Sequence, residues 1–524
     1  MVNLSKSFTP AAIFLGLFIF FFSVGIFLKK NSKAIYQNWL FIGSLPTIIR
    51  NSKRLLKGVN GIFISLDGRG SFFINGPIFS KLKYFVTCHP KNIEYILKTD
   101  FDNFPKGPDF MQIFDPLGDG ILTVDSDAWK VLRRMAHTAF IASEFKDLLS
   151  NMSRKIAEEQ LVPLLAHVAE TGSIIDLQEV CARFTFDVNM NAAFGVHENY
   201  LSTELPSNDF AEATEQVQKA LLYRHILPMF LWKLMRVFNI GWEKETTKAL
   251  KIIDAHIYQL ISQKRSDLFQ GIKSFDLLSS HIKTQAQMVS TNISSLPTKN
   301  DDKFLRDTMF SLFLAGKDAL ASGLIWFFWL VSKTPAAEAK IFEELKVLYS
   351  SKKREPPQET HGWPYVFDAR DLSELIYLHA AICESLRLYP PVPLNSKTVL
   401  KEVVLPDGSL VKPGMQIIIS SYAVGRMSWI WGEDCRKFKP ERWIDDDGRL
   451  IRHENMSKFV TFNLGPRTCL GKDMAFTQIK AVAAAILFNF HVEVLGGQVI
   501  VPKPAITLHM ENGLKVKLRK RVIC

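Results

Sequence analysis

The stretch Phe462-Asn463-Leu464-Gly465-Pro466-Arg467-Thr468-Cys469-Leu470-Gly471 sets one thiol in a loop that is bounded by glycine, stiffened by proline and flanked by a fixed cation. A thiolate that ligates a metal needs backbone N–H groups aimed at its sulfur and little bulk around it, which Gly465 and Gly471 permit. Free cysteine is also among the most buried residue types, so a thiol simply packed in a tight turn is the alternative. The segments that accompany the loop decide between the two.

In Ala381-Ile382-Cys383-Glu384-Ser385-Leu386-Arg387-Leu388-Tyr389-Pro390-Pro391, Glu384 and Arg387 stand three apart and share one helix face before Pro390 stops the helix. Such a pair is commonplace alone, but Pro440-Glu441-Arg442-Trp443 follows downstream. Trp129 and Arg133 lie four apart on an expected helix, a spacing that points an indole N–H and a guanidinium the same way. From Phe304 to Lys333 the chain reads as a long apolar helix containing Leu314-Ala315-Gly316-Lys317-Asp318-Ala319-Leu320 and Trp326-Phe327-Phe328-Trp329. Lys317 and Asp318 in mid-run make a membrane span costly, so a buried central helix is expected.

Together these segments resemble the cytochrome P450 superfamily, the haem-thiolate monooxygenases, whose signature F-x-x-G-x-R-x-C-x-G is filled at every fixed position from Phe462 to Gly471. The resemblance implies a mainly α fold with small β-sheets, one large catalytic domain behind an N-terminal transmembrane helix. It implies haem as cofactor, with Cys469 as the axial iron ligand whose donated charge favours O–O cleavage. Phe462, Arg467, Trp129 and Arg133 would bind the cofactor, the two arginines at its propionates, while His137 reads as a packed surface histidine. Glu384, Arg387 and Arg442 would lock the fold beneath it without catalysing, because buried charges need mutual satisfaction. On the central helix, family members carry A-G-x-[DE]-T. Ala315 and Gly316 would let oxygen and substrate approach, and Asp318 would pass protons. Ala319 occupies the threonine position and has no hydroxyl, so proton delivery would use water, Ser322 one turn away, or a hydroxyl on the substrate.

The flanking sequence fits a membrane-tethered enzyme in a reducing compartment. Residues 7–28 carry no charge and are long enough to cross a bilayer core of about 30 Å. Lys29, Lys30 and Lys33 follow while only Lys6 precedes, which puts the remainder in the cytosol. No small-residue cleavage site follows, so an anchor is expected over a cleaved signal peptide. The expected organisation is an anchor at 1–30, a linker at 31–50 whose proline-rich hinge is reduced to Pro46, and an oxygenase domain at 51–524. The six cysteines, Cys88, Cys181, Cys383, Cys435, Cys469 and Cys524, show no disulfide or zinc spacing. The net charge of +12, from 64 basic against 52 acidic residues, is spread without the aromatic-interleaved clusters of a nucleic-acid module. It suits an anionic membrane face and an acidic redox partner, with Lys130, Arg134 and Lys472 as docking cations or ordinary solvated charges. Thr284 to Asp302, polar and poor in apolar residues, is expected to be a loop.

The segments from Trp326 to Pro335 and from Gly425 to Gly432 are similar to the plant clan of fatty-acid omega-hydroxylases and alkane hydroxylases. The likeness is greatest to the alkane-hydroxylase family, which includes an alkaloid phenol-coupling branch. The resemblance implies an endoplasmic-reticulum enzyme that draws electrons from NADPH through a separate reductase and uses O2. Its substrate would be a long-chain acid or alkane to be hydroxylated, or a phenolic alkaloid to be coupled. Pocket walls would come from Phe110 to Phe114, from Leu312, Ala315 and Ala319, from Val392 to Ser396 including Leu394, and from the hairpin at Leu508 and Met510. Between Leu221 and Phe238, apolar residues alternate with Arg224, Lys233 and Arg236, a pattern suited to the membrane interface. Two other classes are a haem-binding membrane protein without oxygenase activity, and a transporter that uses both apolar segments as spans.

Overall fold

A computed structural model describes residues 55–522 apart from 67, 77–82, 291–301, 353–363, 369, 452–455 and 504. The expected anchor, the linker with Pro46, and Cys524 lie outside the described residues. The helices that position the site are α1 (Ser126–Ile141), α2 (Leu177–Phe194), α3 (Asp209–Ile226), α4 (Met229–Val237), α5 (Gly241–Phe269), α6 (Asp302–Ser332), α7 (Ile376–Leu388) and α8 (Lys472–Asn489). Local chemistry sets several of their ends. Asp176 caps α2 by accepting the Gln178 N–H, Gly195 closes it in the left-handed conformation, and Asn208 caps α3 through the Ala211 N–H.

Helix α6 is apolar on nearly every face, and the core forms around it, where it packs chiefly on α2 and also on α5, α7 and α8. Although it is long and apolar enough to span a membrane, 72% of its most apolar window is buried inside the protein, so it is the central helix expected from Lys317 and Asp318. Those two residues are themselves buried and paired at 3.2 Å.

A four-stranded sheet lies beside the helices. Strands β1 (Ser71–Asn75) and β2 (Lys83–Thr87) form a hairpin, β2 runs parallel to β4 (Gln416–Ser420), and β4 pairs antiparallel with β3 (Leu394–Thr398). Lys397 stands opposite Ile417 and is only 1% exposed, an inward-facing charge in a sheet that covers its own apolar cluster. A second small sheet joins β5 (Phe490–Val494) and β6 (Lys515–Lys520) to the pair Ile175–Asp176.

One expectation fails in part. Residues Thr284 to Ser290 are helical, the end of a helix over Leu277–Ser290 whose Leu277, Leu278 and Ile282 reach the core. Three apolar contacts at its start hold a turn that its polar end would not have formed alone.

Candidate active site

Cys469 sits in a loop shaped by two left-handed residues. Asn463 (φ 62°) secures its turn by donating from Nδ2 to the Arg467 carbonyl at 3.1 Å. Gly465 (φ 65°) passes so close to Leu97 that a Cβ would lie 2.1 Å from its carbonyl oxygen. The Cys469 N–H donates to the Phe462 carbonyl at 2.8 Å, and the Gly471 N–H, at the start of α8, reaches the sulfur. Burial pushes the thiol's pKa up, opposed by that bond and by the charges of Arg133 and Lys472. Gly471 itself has ordinary backbone and meets nothing nearer than Phe140 at 3.8 Å, so its donor, rather than its missing side chain, serves the sulfur.

The thiol opens into a cavity of about 1100 Å³. Trp129, Arg133, Phe462 and Arg467 all line it, whereas His137 is exposed on the outer face of α1. Two further cations that sequence reasoning missed join them, Lys106 and Lys397. Arg467 donates to Asp125 at 2.6 Å and to the Val124 carbonyl at 2.8 Å, and its guanidinium lies 4.5 Å from the Trp129 ring centroid. Its Nε and the Lys397 Nζ are buried without a hydrogen-bond partner. Among the described residues Asp125 is the acid paired with this group of four cations, and its other bonds come from the N–H groups of Lys106 and Gly107. Burial and repulsion from Arg467 push Lys397 down to about 7, and burial with repulsion from Arg133 brings Arg467 to about 10 despite Asp125.

Buried cations in excess of acids are costly unless an anion completes them. A planar apolar group carrying a metal and two carboxylates would be held by Cys469 and by Lys106, Arg133, Lys397 and Arg467, and its carboxylates would offer acceptors to the unpartnered Arg467 Nε and Lys397 Nζ. The residues present fit haem.

Beneath this layer, Arg387 and Glu384 are fully buried and joined at 2.7 Å. Arg387 also donates to the carbonyls of Gly425, Cys435 and Lys437. Glu384 accepts the indole N–H of Trp443 at 2.9 Å and the backbone N–H of Lys439 at 3.0 Å. Arg442 reaches Glu384 only at 3.5 Å and bonds Asp434 at 2.8 Å, so Trp443 closes the network more tightly than the second arginine. Gly425 is required here because a Cβ would lie 2.1 Å from the Arg387 carbonyl oxygen.

On the other side of the cavity, Leu312, Ala315, Gly316, Asp318 and Ala319 form the wall contributed by α6. Asp318 is held by Lys317 on Oδ1 and by the side-chain amide of Gln218, on α3, at Oδ2. Gly316 makes room for a neighbouring side chain, since a Cβ there would lie 2.0 Å from Asn189 Oδ1. Ser322 is no substitute for the missing threonine hydroxyl. It is fully buried, does not line the cavity, and donates to the Leu508 carbonyl at 2.7 Å.

Phe110, Phe114 and the run from Val392 to Ser396, with Leu394, line the cavity. Leu508 and Met510 do not. Each is 1% exposed and turned into the core, where the Leu508 carbonyl also accepts the Trp326 indole N–H, so Ile506 and Thr507 provide that wall. Above it, α3 and α4 form the amphipathic segment, broken at Pro228, and Phe230, Leu234, Val237 and Phe238 are exposed along one face of α4.

The comparisons with known proteins agree with this geometry. Residues 78–517 match the family model described as Cytochrome P450. The chain is 39% identical to "Alkane hydroxylase MAH1" of Arabidopsis thaliana, over 94% of this chain and 95% of that protein. It is 37% identical to "Noroxomaritidine synthase 1" of Narcissus pseudonarcissus, over 94% and 93% respectively. A thiol at the floor of an apolar cavity, cations waiting for two carboxylates, and a match across most of the described fold have one explanation: the chain belongs to the cytochrome P450 family, monooxygenases that carry haem on a cysteine thiolate and take electrons from NADPH through a reductase.

Proposed function

We propose that Cys469 is the axial ligand, that Trp129, Arg133 and Arg467 together with Lys106 and Lys397 hold the propionates, and that the enzyme oxidises a hydrophobic metabolite carrying its own hydroxyl group. Bound haem supplies oxygen activation, and the protein's part is to exclude water, orient the substrate and hold protons at defined atoms. Asp318, fixed between Lys317 and Gln218, is the proton carrier of the wall. The observation that carries the substrate reading is the pair Ala319 and Ser322: the first has no hydroxyl and the second has spent its own on Leu508. A phenol brings the missing O–H with it. Removing one hydrogen from each of two phenolic rings then joins them by a C–C bond, while O2 and NADPH with one proton give two waters and NADP⁺.

Hydroxylation of an alkane or long-chain acid is the second reading. It is favoured by the apolar wall at Leu312, Ala315, Leu394 and Ile506, and by the similarity to the protein named as an alkane hydroxylase. Here one oxygen atom enters the substrate and the other leaves as water. In either case the run at 7–28 anchors the enzyme in the endoplasmic reticulum membrane with the catalytic domain in the cytosol. Incubating reductase-containing membranes with long-chain acids, alkanes and phenolic alkaloids, and reading product masses, separates the two. Loss of two hydrogens from a phenol supports coupling, and gain of one oxygen on a chain substrate overturns it in favour of hydroxylation.

A further inference from the structure

His225 lies on α3 seven residues beyond Gln218, two helical turns and about 10 Å along the helix axis on the same face. Both line the cavity. The imidazole Nδ1 is 2.7 Å from the Leu221 carbonyl oxygen, which can only accept, so Nδ1 carries the ring's proton. The ring is exposed where it lines the cavity, and the atoms packed around it lower the histidine's pKa against the opposing Leu221 bond, which favours the neutral imidazole. Nε2 is therefore an acceptor, and among the described residues nothing donates to it.

The surroundings of that acceptor are aromatic. Phe114 meets the His225 ring edge to face, with centroids 5.4 Å apart at 81°. Phe110 stacks on Phe114 at 4.2 Å and 14°, and both phenyl rings line the cavity. This wall is held in place from behind. Arg224 donates to the Ile113 carbonyl at 3.0 Å and to Asp115 at 2.7 Å, and Arg236 binds Asp115 from α4 at 2.6 Å. The buried Glu243 holds Arg224 through two bonds, at 2.7 and 2.8 Å. Helices α3, α4 and α5 and the segment from Phe110 to Asp115 thus form one preorganised surface.

We infer that His225, with Phe110 and Phe114, is a recognition site for a phenolic ring: the ring packs against the phenyl pair and its O–H donates to His225 Nε2. This deepens the hydroxyl-bearing substrate class and rests on that reading. An alkane laid over the same wall would leave the acceptor desolvated and unpaired, whereas a phenol satisfies it. A site built around a hydrogen-bonding group rejects ligands that lack the partner. The distance between Gln218 and His225 suits a ligand with two aromatic rings, one at each polar group.

The test is equilibrium dialysis of the haem-loaded, full-length protein in nanodiscs against three probes: para-phenylphenol, its methyl ether and phenylcyclohexanol. The native protein is expected to hold the phenol at least tenfold more tightly than the ether and than the aliphatic alcohol. In His225→Phe, which keeps an aromatic ring and loses the acceptor, the phenol-to-ether ratio falls to about one. His225→Gln, which restores an acceptor, recovers part of it. Unchanged haem absorption in both variants reports an intact fold. A ratio that survives in His225→Phe, or an aliphatic alcohol bound as tightly as the phenol, overturns the assignment. Binding is read without turnover, so a protein that selects phenols but couples none would refute the proposed reaction and leave the recognition site standing.

Discussion

Replacing Lys397 with methionine should have opposite effects on the haem-free and haem-loaded protein. The side chain is 1% exposed, its ammonium has no hydrogen-bond partner and faces the Phe101 ring at 5.5 Å, and burial with repulsion from Arg467 brings it from its usual 10.5 to about 7. Each decade in that equilibrium corresponds to about 1.36 kcal/mol, so three and a half decades hold roughly 5 kcal/mol against the haem-free fold below pH 7. Between about pH 7 and 10.5 the unfolded chain binds more protons at this site than the folded one. Stability therefore rises with pH across that window, and the penalty is gone above it. Lys397→Met removes both the penalty and the slope, so chemical denaturation of the haem-free variant at pH 6 should show a higher midpoint than the native chain. With haem bound, the same lysine gives a charge-assisted bond worth roughly 1.5–3 kcal/mol to a propionate. The variant should then lose haem about tenfold to a hundredfold faster to an excess of a haem-scavenging protein. A haem-free variant less stable than native at pH 6, or haem loss at the native rate, would refute the reasoning.

Two glycines separate packing from signature. Gly425→Ala places a Cβ 2.1 Å from the Arg387 carbonyl oxygen and should abolish haem incorporation, whereas Gly471→Ala meets only Phe140 at 3.8 Å and should keep haem content within about twofold of native. Haem absorbance per mole of protein reads both. Ser322→Ala should leave the ratio of product to NADPH consumed unchanged, at a stability cost of about 1 kcal/mol for the lost bond to Leu508. Ala319→Thr should lower peroxide leakage with substrates that lack a hydroxyl and leave it unaltered with phenols; equal effects on both would remove the substrate-hydroxyl argument. Asp115→Asn takes the shared charge from Arg224 and Arg236 while Glu243 still satisfies Arg224. Stopped-flow measurement should show faster substrate association with less than about 1 kcal/mol of stability lost, because the aspartate is 40% exposed.

The sequence alone determined the thiol loop, the central helix and the buried Glu384–Arg387 pair. Each is a local pattern whose physics lies within a few residues: glycine where the backbone must turn, an apolar run too costly to interrupt by chance, and an acid and a base one helical turn apart. It also marked Ala319 as a departure, since a missing hydroxyl is visible in one letter. Tertiary structure alone decided what surrounds those patterns. Lys106 and Asp125 stand 19 residues apart but meet Lys397 and Arg467 from far along the chain, and a lysine in Leu-Asn-Ser-Lys-Thr carries no sign of facing inward until β3 pairs with β4. Leu508 turned out to serve through its carbonyl, which also removed Ser322 from the proton path, because side-chain direction in a hairpin depends on its register with the rest of the fold. The place of His225 in the cavity likewise depends on the packing of α3 over Phe114. Chemistry set by neighbours in the chain is written in the sequence; chemistry set by partners more than a hundred residues away appears only when folding brings them together.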